Sequence, residues 1–248
     1  MERIKFDSLR LEPLSSSRAA VGLRWVWMLL FFAAFLLVLG RRFTPLLVPG
    51  EGAWLEVCLL FFATGWTTTS LARQLPLQNV LLASGILAGV FALAVILNHF
   101  TQIPFGPVAF SKRVPLMFDS LPLFSPLIPV VAILSSRGVA RLMLRPWRQG
   151  VHYGYWLFAT AVVLTLVFDL GLEFFAAHQR GFWTWSPTRV PVSWFGTPLT
   201  NFFGWAVVTI LSLAFATPAL INKKPVRYAP DYDPLGLWLM ALATFLLG

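Results

Sequence analysis

Seven apolar stretches dominate this chain, at about 23–40, 53–71, 79–97, 120–136, 153–177, 201–220 and 235–248. A bilayer core of ~30 Å needs ~20 apolar residues per helical crossing, and inside it every backbone amide must be satisfied within the protein. The chain is therefore expected to fold as an all-α, polytopic membrane helix bundle of about seven spans. Only 12% of its residues are charged, against about 25% in a soluble domain. The fourth stretch, "LPLFSPLIPVVAILSS", carries Pro122, Pro126 and Pro129, which lack amide donors, so this span is expected to be kinked or broken. The seventh is short for a crossing and is expected either to stop midway or to continue in a longer chain. No fixed-period repeat or linker divides the sequence. It reads as a lead over 1–22 and a single membrane domain over 23–248, with the first apolar run a retained helix rather than a signal peptide. Cys58, the one cysteine, lies among Leu and Phe and reads as a small apolar residue.

The net charge of +9 is of the sign that nucleic acid attracts, but no compact basic domain carries it. Its distribution is more telling. Counted by alternate segments, 13 of the 19 basic residues fall on the side of the N-terminus and 6 on the other, which predicts a cytoplasmic N-terminus. Arg137, Arg141, Arg145 and Arg148 recur at helical spacing and are expected to face anionic lipid headgroups from one helix face. Of the ten acids, Glu2, Asp7, Glu12, Asp231 and Asp233 fall on the cytoplasmic side. Glu51, Glu56, Asp119, Asp169 and Glu173 fall toward the opposite face.

Asp169 and Glu173 are the most informative of these. In "LTLVFDLGLEFFAAHQ" a spacing of four puts both carboxyls on one helix face, ~6 Å apart along the axis. An ionisable group at membrane depth costs ~2.5–3.5 kcal/mol and marks a functional candidate. A packing hydrogen bond, or pairing of Glu173 with Arg180, is the simpler reading of the same residues. The connection that follows, "RGFWTWSPTRVPVSWFGTPLTNFFGW", reads as a Trp-rich re-entrant or interfacial segment. Trp183, Trp185 and Trp194 fit either an interfacial belt or a pocket wall, and Thr200 or Asn201 is expected to cap the next helix. Before the fourth span, "NHFTQIPFGPVAFSKR" supplies a tight turn that lets Phe105 dip into apolar surroundings. His99 and Asp119 flank this region as candidate proton or water relays.

Several chemistries are excluded by what the sequence lacks. His99, His152 and His178 show no clustered spacing for a metal centre, and neither a dinucleotide fingerprint nor a phosphate-binding P-loop is present. Three classes stay open: acid and water chemistry on a lipid-soluble molecule, non-catalytic handling of a lipid or ion, and intramembrane prenyl transfer at Asp169 and Glu173. The last lacks a second Asp-rich cluster for Mg²⁺ and diphosphate.

The blocks "TQIPFG" (101–106), "FDLGLE" (168–173), "GFWTW" (181–185) and "GTPLTNFFGW" (196–205) resemble the carotenoid biosynthesis membrane proteins, which include carotenoid 1,2-hydratases. The resemblance covers about residues 80–220. Val108 and Phe110 stand where the family pattern has tyrosines, and Phe174 where it has proline. The resemblance implies a bacterial or archaeal cell membrane protein that hydrates a terminal C=C of a linear or monocyclic carotenoid, without a cofactor or metal. Its partners would be a polyisoprenoid substrate and membrane lipids, with no nucleic acid. In that reading protonated Asp169 is the acid and Glu173, with Asn201, holds the water. Phe105, Trp183, Trp185, Trp194 and Trp205 bind the polyene, the indoles steadying a cation by up to ~2 kcal/mol each.

Overall fold

The computed structural model describes residues 18–43, 53–187, 192–221 and 230–247. The lead before residue 18 and Glu51 lie outside these described residues, so the acids and bases assigned there are not placed. Seven α-helices follow in chain order: α1 (Arg18–Phe43), α2 (Ala53–Leu71), α3 (Leu77–Thr101), α4 (Leu127–Met143), α5 (Tyr153–Glu173), α6 (Leu199–Leu220) and α7 (Asp233–Leu247). Four segments are long and apolar enough to cross a membrane: Val21–Arg41, Leu77–Thr101, Tyr153–Gln179 and Leu199–Leu220. The architecture is thus a membrane-spanning helix bundle, with four spans supported by length and composition out of the seven expected.

Packing explains the arrangement. α1 lies along α2, α3 along α6, and α4 between α5 and α7. Leu87, Ile133, Ala161 and Leu213 are fully buried where the middle helices meet, and α7 completes the core with Leu237 and Phe245. Polar ties reach from helix interiors to the ends of neighbouring helices. Arg24 of α1 pairs with Asp233 at the start of α7, and Arg137 donates to the Leu220 carbonyl that ends α6, 3.1 Å away.

The fourth span is broken at its prolines, as expected, but its bounds differ. Its helix starts at Leu127 and runs to Met143, so it begins seven residues late and takes in Arg137 and Arg141. The prolines account for the shift. Pro122 pairs with Met117 in a two-stranded ladder and Pro126 precedes the helix, while Pro129 falls in the first turn, where an amide has no partner to lose. The expected cap of α6 is also displaced. That helix begins at Leu199 after extended Pro198, with no side-chain cap, because Thr200 and Asn201 are engaged elsewhere.

Three short antiparallel ladders gather at one end of the bundle: β1 (Val108–Phe110) with β4 (Trp183–Trp185), β2 (Met117–Phe118) with β3 (Leu121–Pro122), and β5 (Ser193–Trp194) with β6 (Thr197–Pro198). Asp119 sits in the β2–β3 turn at a φ of 55°, a conformation Asp tolerates better than most residues. This gives Asp119 a local structural role, and its side chain is exposed.

Candidate active site

The site forms where the ends of α3, α5 and α6 meet the β1–β4 ladder. After α3, Gln102 closes the helix in a left-handed conformation, Ile103–Pro104 is cis, and Gly106 takes a φ of 108°. Buried Asn98 holds the resulting turn. Its Oδ1 accepts from the amides of Phe105 (2.8 Å) and Gly106 (3.1 Å), and its Nδ2 donates to the Gly106 carbonyl (2.9 Å). Phe105 thereby packs against Phe91 and Trp205. The turn in turn seats on α6: Thr200 Oγ1 donates to the Phe105 carbonyl at 3.3 Å, and a Cβ on Gly204 would stand 2.7 Å from the Pro104 oxygen. Only glycine permits that approach.

α5 delivers the two acids. Asp169 is 1% and Glu173 3% exposed, and the helix then winds into a π-helical turn over Phe174–Gln179, a feature often found beside functional sites. The turn directs the chain into β4, which brings two indoles back over Glu173. Glu173 Oε2 accepts from Trp183 Nε1 (3.0 Å), Trp185 Nε1 (2.9 Å) and Thr197 Oγ1 (3.1 Å). Asn201 Nδ2 bridges the pair, donating to Glu173 Oε1 at 3.3 Å and Asp169 Oδ2 at 3.2 Å. Asp169 Oδ1 is buried with no hydrogen-bond partner among the described residues. Arg180 does not pair with Glu173; it pairs with Glu56 of α2, which Arg41 also approaches at 3.4 Å.

A cavity of about 340 Å³ opens beside this cluster. Glu173, Asn201, Trp183, Trp185, Trp205 and Phe105 all face it. The ladder pairs Val108 with Trp185 and Phe110 with Trp183, so the two positions that depart from the family pattern add apolar wall to the same cavity. His99 stands on its rim, with Nδ1 3.5 Å from Ser120 Oγ. Three of the expected residues do not line it. Asp169 lies one turn deeper than Glu173 and off the cavity wall; Asp119 is outside it; Trp194 is 45% exposed and donates to the Leu170 carbonyl at 3.3 Å. Sequence reading missed Asn98 and Thr197. A buried-range Asn within an apolar helix just before a Pro-Gly turn was a usable signal for the first, whereas Thr197 had none.

Fold and site together define an integral membrane protein with a carboxyl-bearing aromatic cavity suited to a lipophilic ligand. The chain belongs to the carotenoid biosynthesis protein family, which it matches over residues 54–247. Neither the curated proteins nor the solved structures compared with it gave a match.

Proposed function

We propose that this protein hydrates the terminal 1,2 C=C of a linear or monocyclic carotenoid by acid catalysis without a cofactor. One observation carries the reading: a carboxyl, Glu173, faces an aromatic cavity while three fixed donors converge on one of its oxygens. Indole N–H groups only donate, so Oε2 is held as an acceptor, and in the acid form of Glu173 the proton belongs on Oε1, which accepts only from Asn201. Transfer of that proton to the less substituted alkene carbon leaves a tertiary cation on the carbon bearing two methyls. The three donors then stabilise the carboxylate as it forms, the preorganised arrangement that contributes most to many enzymes. Trp183 and Trp185 also line the cavity, and a ring face turned to the cation would stabilise it. Water adds to the cation, and its proton returns to Glu173, so the net change is one water gained. Asp169, away from the alkene, acts as a positioning residue: its Oδ2 accepts from Asn201 Nδ2, which also donates to Glu173 Oε1, so it keeps Asn201 and Glu173 in register. The acid and the water-holder of the sequence reading are thus merged in Glu173.

The test is direct. Purified protein given lycopene or γ-carotene under argon, with no cofactor, should yield a product heavier by one water, and Glu173→Gln should reduce the rate about 10²–10⁴-fold. No mass change in any polyene, with folded protein, rejects hydration in favour of lipid handling.

A further inference from the structure

A second cavity, of about 100 Å³, lies at the opposite end of the bundle, among the ends of α2, α4, α5 and α7. One wall carries Arg137, Arg141, Arg145 and Arg148, with Tyr153 beside them. Among the described residues none of the four has a carboxylate within ion-pair distance. The acids on the facing wall are already engaged. Asp233 pairs with Arg24 and is 3.7 Å from Arg73, while Asp231 accepts from Ser70 (2.8 Å) and Gln74 (3.0 Å) and is 3.8 Å from Arg73. Arg137 donates to a carbonyl and Arg141 to the Gln74 amide oxygen at 3.0 Å, neutral acceptors, so among the described residues neither charge is compensated. The depth of the cavity is apolar, lined by Trp66, Leu134 and Leu237. The Thr67 hydroxyl on its wall is buried without a hydrogen-bond partner among the described residues.

Four cations converging on one small concavity, above an apolar floor, are complementary to a dianionic or monoanionic phosphate attached to a hydrocarbon chain. From this geometry we infer that the basic cavity binds the phosphate of a net-anionic amphiphile, whose headgroup carries no cation of its own, with the guanidinium forks of Arg141, Arg145 and Arg148 on its oxygens. Guanidinium forks match phosphate oxygens in pairs, and the apolar floor favours a tailed phosphate over a free one. The inference rests on residues that take no part in the proposed hydration, so either reading can fail alone.

Thermal unfolding of the full chain in a neutral detergent tests it, with dioleoylphosphatidylglycerol, dioleoylphosphatidylcholine, inorganic phosphate or pyrophosphate added in turn. The anionic lipid should raise Tm and zwitterionic phosphatidylcholine should not. Arg145→Gln with Arg148→Gln, both at exposed positions, should weaken the apparent Kd by about tenfold per arginine, and added salt should weaken it further. An equal shift with inorganic phosphate keeps the phosphate site and assigns it to a free anion. No shift with any phosphate species, an equal shift with phosphatidylcholine, or a shift that survives the double substitution overturns the inference.

Discussion

Trp183 and Trp185 each give Glu173 a hydrogen bond that no other side chain of similar shape could give. Replacing either with Phe keeps most of the cavity wall and deletes one donor. Loss of one such preorganised donor costs about 10²–10³-fold in kcat, so each substitution should slow water addition by that order while carotenoid binding, read from the shift in its absorption spectrum, changes little. Asp169→Asn separates the two acids: a positioning residue should lower kcat less than Glu173→Gln does, and a loss equal to that of Glu173→Gln would return the acid role to Asp169. The i, i+4 spacing made the pair visible in the sequence. Which member faces the cavity was not visible, because it depends on the rotation of α5, and tertiary packing sets that rotation. Gly171, between the two acids, presses on α7, where a Cβ would lie 3.0 Å from Phe245.

The turn over residues 101–106 is the element that joins α3 to α6. Asn98 satisfies three backbone groups within it, so Asn98→Ala should cost about 1–3 kcal/mol per buried group left unpaired, seen as a lower Tm together with weaker polyene binding. Gly204→Ala forces a methyl against the Pro104 carbonyl and should cost about 1–3 kcal/mol; unchanged stability there would show that α6 and the turn can move apart. Six of the helices match their apolar runs closely, because length and hydropathy alone determine where a helix can lie in a bilayer. The fourth did not, since Leu121, Leu123 and Phe124 carry its apolar run back toward residue 120 while the missing amides of Pro122 and Pro126 push that part of the chain into a hairpin and a turn, the break those prolines signalled. The ladders escaped notice for a related reason: two or three residues are too few to show strand alternation, and the β1–β4 pairing joins segments over 70 residues apart.

At the scale of the molecule, charge is divided by end. The basic cavity and the Arg24–Asp233 pair occupy one end, with the acidic aromatic cavity at the other. If the charge count sets orientation, a cysteine placed at exposed Ser186 in a Cys58→Ser background should react with an impermeant maleimide from the non-cytoplasmic side. Labelling from the cytoplasmic side would invert the topology and leave the site chemistry intact. One helix spans this division. Tyr153, at the start of α5, lines the basic cavity, and Glu173, at its end, lines the other. Twenty residue steps at 1.5 Å give about 30 Å, the thickness of the hydrocarbon layer. If each cavity takes the ligand proposed for it, the two draw on opposite leaflets, and the supply of polyene to one and of anionic phosphate-headed lipid to the other can be varied independently in a bilayer whose two faces differ in composition.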